Sequence, residues 1–217
     1  MTSINVSTPW GMRTAAAGAV VAAALLLAGC AGGAPADPGT VTSTPTGSAT
    51  ASPSATPTPT PSAVYKPADA SGPAQNVPVP VLPEVAKTET KEGLEAFVRY
   101  WYATLNYAFE TGQTEKLVEI SAPGCVFCTG LRDGVTEAWA EGRWVSGGKI
   151  ETPVITVNMQ PGVEPHAVVQ VLQGTIEVRN PDGSLYQAPT AASNTGSRAA
   201  ATYGGSGWTM TDLGLIR

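Results

Sequence analysis

The sharpest chemical feature of the chain is Cys125-Val126-Phe127-Cys128, two thiols with two residues between them. Such a pair can cycle as a redox centre, provide half of a metal site, or close as a structural disulfide. Redox work calls for a low-pKa thiolate where a strand runs into a helix, but residues 114–120, just upstream, read as helix. A zinc site needs a second ligand pair, and the chain has only three cysteines and one histidine. The histidine, His166, follows Pro165 at a predicted strand start, the position of a solvated strand-end side chain rather than a general base. Tyr100 and Tyr107, seven apart on one predicted helix face, are candidate cavity-mouth residues and, in an enzyme, candidate proton donors. The strand carboxylates Glu151, Glu177 and Asp212 fall in outward or ambiguous phase, and Glu177 with Arg179 reads as an exposed ion pair. No Gly-rich phosphate loop, nucleophile elbow or His-Glu metal motif is present, and no cofactor is implied.

The third cysteine, Cys30, has different surroundings. Residues 14–29 form an uncharged apolar run behind Arg13, shorter than the roughly 20 residues a spanning helix needs, which is the layout of a secretory signal. Its end, Leu27-Ala28-Gly29-Cys30, resembles the bacterial lipobox, in which the cysteine thiol accepts a diacylglycerol before cleavage. The expectation is a signal peptide over 1–29, a lipidated Cys30 and an extracytoplasmic chain held at the cell membrane by its lipid. Translation starting at Met12 instead of Met1 would give a more ordinary basic start. With Cys30 carrying lipid, two thiols remain in an oxidising compartment, which favours Cys125–Cys128 as a structural disulfide over a redox or metal pair.

Composition separates what must position these residues from what only tethers them. Of 217 residues 42% are apolar, but 13% are charged, and Gly 24 with Pro 19 make up about a fifth of the chain. The net charge of −5 offers no basic field to a phosphate backbone, so nucleic acid is not an expected partner. Residues 31–62 are almost wholly Ala, Gly, Pro, Ser and Thr, including three Thr-Pro repeats at 56–61. That stretch cannot bury enough surface to offset the entropy of ordering, and it reads as a spacer biased to polyproline II and open to O-glycosylation. The linker is drawn over 30–87, its last part running extended along the domain, and a single domain over 88–217.

Within that domain Leu94, Phe97, Val98, Trp101, Leu105 and Ala108 trace one face of a long helix, with Thr90 as N-cap and Gly112 as stop. A short helix over 114–120 and a third over about Cys128–Glu141 follow. Past Gly147-Gly148 the period changes to two: Ile155, Val157 and Met159, then Leu172, Gly174, Ile176 and Val178, then strands near Arg198–Tyr203 and Trp208–Ile216. Gly174 predicts a bend within one long strand, and the phase change between Trp208/Met210 and Leu213/Leu215 predicts a bulge. Helices followed by a curved antiparallel sheet make an α+β fold, cone-like, with the first helix in the sheet's concavity.

Phe97 to Tyr102, Leu105 to Ala108, Thr111-Gly112, Gly124 to Cys128, Glu141-Gly142, Trp144 and Gly207-Trp208 resemble actinobacterial lipoproteins that carry domain of unknown function 6318. The element order is also similar to the nuclear transport factor 2-like cone fold. The first resemblance implies no chemistry; the second implies a fold that hosts enzymes and binders alike. The reading preferred here is a lipid-anchored envelope protein whose domain binds a small apolar ligand or a partner protein without catalysis. The alternatives are a cone-fold isomerase or hydratase and an extracytoplasmic thiol-disulfide oxidoreductase.

Overall fold

The computed structural model describes residues 64–216. Cys30, the expected signal peptide over 1–29 and most of the expected linker lie outside the described residues. The fold is α+β, three helices followed by antiparallel sheets. Helix α1 spans Lys91–Thr111. It starts where the Thr90 side chain accepts from the Gly93 N–H, and it stops at Gly112, left-handed at φ 74°, whose N–H caps the Ala108 carbonyl. Leu94, Phe97, Val98, Trp101, Leu105 and Ala108 are at most 1% exposed. Burying each of the larger side chains contributes about 1.5–3 kcal/mol, and the row they form fixes which face of α1 meets the sheet.

Helix α2 spans Glu115–Glu119 and helix α3 Val126–Ala138. The third helix begins two residues before the sequence reading placed it, because the Cys125 sulfur caps the Cys128 N–H. It ends earlier too, because Glu141 and Gly142 take left-handed backbone at φ 58° and 76°. The strands are β1 Trp144–Gly147, β2 Ile150–Glu151, β3 Ile155–Asn158, β4 His166–Gln173, β5 Ile176–Arg179, β6 Ser193–Gly204 and β7 Gly207–Ile216. The main sheet runs β2-β4-β6-β7, with β3 also paired to β4, and β1 and β5 form a separate two-stranded sheet.

The expected bulge is present. Ala200 pairs with Asp212 but Ala201 pairs with Met210, so Thr211 is the extra residue. The change of register lets Trp208, Met210 and Leu213 all be buried despite their broken alternation.

The expected long strand through Gly174 is instead two strands in two sheets. Gly174 donates to the Lys149 carbonyl and Gly148 to the Thr175 carbonyl, so the chain changes partner at this point. The break has a tight geometric cause: a Cβ on Gly147 would stand 2.3 Å from the Thr175 oxygen.

Ordered structure also begins ahead of Thr88, where the domain boundary was drawn. Residues 66–75 close a small antiparallel loop through reciprocal Lys66 and Gln75 bonds, and Ala86 is 1% exposed under the 3-10 turn Glu84–Lys87. Two tryptophans clamp this segment: Trp144 Nε1 donates to the Asp69 carbonyl and Trp208 Nε1 to the Thr88 carbonyl, both at 2.9 Å. An indole N–H inside a fold needs an acceptor, and here Asp69 of the lead segment and Thr88 just past its end supply one to each ring.

Candidate functional site

Alternation along the strands decides which side chains face α1. On β6 the inward positions are Ser193, Thr195, Ser197, Ala199 and Ala201, small residues throughout; on β4 they are Ala167, Val169, Val171 and Gln173. Where α1 presses on the narrow part of the sheet, Phe97, Trp101, Ala199, Ala201 and Met210 pack into a continuous core. Farther along, small side chains face the helix and the layer does not fill.

What is left there is a cavity of about 340 Å³. Its apolar wall is Leu105 of α1, Phe127 and Leu131 of α3, Ile150 of β2, Val171 of β4, and Leu213 and Leu215 of β7. Its polar groups are Tyr102, Gln173, Ser193, Thr195 and Ser197, all of them uncharged. Tyr102 is 4% exposed, its ring edge-on to Trp101 at 5.2 Å between centroids. Burial pushes its pKa above the ordinary tyrosine range, with the neighbouring Ser197 hydroxyl working in the opposite direction. Ser197 itself donates to the Gly214 carbonyl at 3.0 Å. The hydroxyls on β6 run from exposed Ser193 through half-buried Thr195 to buried Ser197, a polar stripe along one wall.

The tyrosines singled out from sequence do not line this cavity. Tyr100 faces a separate depression with Phe97, Lys116, Glu119, Tyr203 and Trp208, and Tyr107, about two turns further along α1, donates to Gln113 Oε1 at 3.1 Å. Both were chosen because seven residues return a helix to nearly the same face, but it is a different face from the one that meets the cavity. Tyr102 was legible as the residue three before Leu105, an i, i+3 pair with the inward stripe.

Cys125 and Cys128 are joined by a disulfide with 5.3 Å between Cα atoms. Their side chains are 0% and 3% exposed, while Val126 and Phe127 between them are 83% and 40% exposed. An attacking thiolate has little access to sulfurs so covered, and the loop they close sets Phe127 at the cavity edge.

His166 opens β4, with Nδ1 2.9 Å from the Glu164 carbonyl, as expected of a strand-end histidine. Glu151 pairs with Lys149 and Asp212 lies 3.7 Å from Arg198, both carboxylates exposed. The Glu177–Arg179 pair is less exposed than the sequence suggested. Arg179 keeps 16% of its side chain in solvent, and it also donates to Ser146 Oγ and the Gly183 carbonyl. The β1–β5 sheet explains this, because its register sets Glu177 against Ser146. Among the described residues no group of three or more His, Cys, Asp or Glu could hold a metal ion, and no helix is long and apolar enough to cross a membrane.

An α+β domain with a helix laid against an antiparallel sheet, and a neutral-lined cavity between them, is the class that fold and site define. The chain belongs to a family of unknown function, DUF6318, whose model matches residues 63–214. None of the curated proteins compared with it matches. Among solved structures it is similar to the intermembrane space region of the chloroplast protein ARC6, at 15% identity over 59% of this chain and 98% of that one, TM-score 0.42. A Catenulispora acidiphila structure shares 14% identity over 57% and 91%, TM-score 0.39. A domain of unknown function with a cystatin-like fold from Nostoc punctiforme shares 15% over 59% and 79%, TM-score 0.36.

Proposed function

We propose that the domain is a non-catalytic binder that takes a small apolar ligand into the cavity between α1, α3 and the main sheet, and that lipid on Cys30 holds it at the outer face of the cell membrane. The observation that carries the first half is the cavity itself: about 340 Å³, walled by seven apolar side chains and five uncharged polar ones. Its size falls within the range of small-molecule sites, and a mostly apolar lining with a few polar groups is what such sites share. A general base would need a titratable side chain aimed at the ligand, and the lining supplies only a tyrosine whose pKa is raised away from neutrality. The anchor rests on Leu27-Ala28-Gly29-Cys30 at the end of the apolar run.

The test of binding is titration with 1-aminoanthracene, a neutral fluorophore whose emission rises in apolar surroundings. The wild-type domain is expected to bind it saturably, and Thr195→Trp, which puts an indole into the cavity, is expected to abolish the rise. Leu215→Trp at the exposed rim provides a second block that leaves the core untouched. No saturable signal from the wild-type domain, or undiminished binding by both folded variants, overturns the reading.

A further inference from the structure

We infer that the ligand is an uncharged amphiphile with a hydrogen-bonding head and a hydrocarbon body, the head seated against Tyr102 and the hydroxyl stripe of β6 and the body against the leucines facing it. This rests on the cavity-binding reading above and adds the chemical class that the lining selects. The argument begins with what is missing from the wall. No Lys, Arg, His, Asp or Glu lines the cavity. An ion brought inside would give up its hydration and find no opposite charge, a cost that uncharged hydroxyls recover only in part. Tyr102 does not become a counter-charge, since burial holds it in its neutral form.

A wholly apolar ligand fits less well for the converse reason. Ser197 spends its proton on the Gly214 carbonyl and keeps acceptor capacity, while Tyr102, Thr195 and Gln173 each present groups that water satisfies when the cavity is wet. A hydrocarbon that expelled that water would strand them, whereas an alcohol, phenol or primary amide both donates and accepts. The dimensions set the rest. About 340 Å³ lies at the small end of the range for ligand sites, which suits a medium-chain alcohol or a compact aromatic of two or three rings. Buried Ser197 and exposed Ser193 place hydroxyls at both depths, so the polar edge of the ligand runs beside β6 and its apolar edge beside Leu105, Leu131 and Leu213.

The experiment is displacement of 1-aminoanthracene from the full domain at neutral pH by decanol, decanoate and decylammonium, which share one chain and differ in head charge. Decanol is expected to compete at a concentration at least tenfold lower than either ion. Tyr102→Phe is expected to weaken decanol about fivefold, the loss of one net hydrogen bond. Competition by decanoate or decylammonium equal to that of decanol would place the head outside in water and overturn the inference, with cavity binding intact. Failure of decanol to compete would overturn it too. Failure of 1-aminoanthracene itself to bind the wild-type domain would remove the cavity reading and this inference together.

Discussion

Two residues show how a local rule yields to a close contact. Gly93 sits in the first turn of α1, where alanine is ordinarily the better helix former by about 1 kcal/mol. A Cβ there would stand 2.1 Å from the Thr88 carbonyl oxygen, the same oxygen that accepts from Trp208. Gly93→Ala is therefore expected to lower the melting temperature, and a rise would show that the Thr88 turn moves aside at no cost. Tyr102 offers a test by pH. Its folded pKa lies above the unfolded one, so the folded state holds the proton longer, and the stability this represents is present below about pH 10 and lost as pH rises through the folded value. Ultraviolet titration should show Tyr102 ionising late, in company with Tyr65, whose pKa burial and the Glu110 carboxylate also raise. Tyr102→Phe should shrink that late step and make the fold more tolerant of alkali.

At the scale of elements, the disulfide and the lead segment act on different parts of the fold. Closing the loop Cys125–Cys128 removes only about 2 kcal/mol of unfolded-state entropy, because so few residues lie within it. A double Ser variant should fold, melt at a lower temperature and bind 1-aminoanthracene more weakly, since the loop it frees carries Phe127. Unchanged binding would separate the bridge from the cavity, and insulin reduction by the wild-type domain would restore the redox alternative. The lead segment is a larger matter. A chain beginning at Thr88 loses the carbonyl that Trp144 donates to and the cover that Ala86 belongs to. An unpaired buried indole N–H costs about 1–3 kcal/mol, so that chain should unfold at clearly lower denaturant than one beginning at residue 63. Equal midpoints would mean the segment is draped on a domain complete without it.

For the whole molecule the expectation concerns address. Cys30→Ala should leave unprocessed precursor and release no mature form to the membrane fraction, while the separate domain remains able to bind 1-aminoanthracene. Normal processing and retention of that variant would remove the lipid anchor from the proposal. Anchor and binding are independent in this scheme, since Cys30 and the cavity are separated by a Pro/Thr/Ser-rich stretch of chain, so each can fail without the other.

By itself the sequence determined the α+β class, the limits of α1 and the bulge in β7, because each is written in short-range terms: a cap side chain, a left-handed glycine, a change in apolar phase. It also determined that Cys125 and Cys128 stand close enough to join. Tertiary structure alone decided the rest. Val77 to Pro83 read as an extended strip along the domain, but only the fold shows that Trp144 and Trp208 take acceptors on either side of it, and Gly174 read as a bend until the Gly147-Gly148 turn took the chain into a second sheet. Residues 193–197 lay ahead of the strand expected near Arg198–Tyr203, yet β4 pairs with the whole stretch and β7 with Gly196 and Ser197, which makes β6 a wall between them. The cavity belongs to that second group. A void is an unfilled difference between facing surfaces, and Tyr102 meets Ser197 only after about a hundred residues of chain have folded between them.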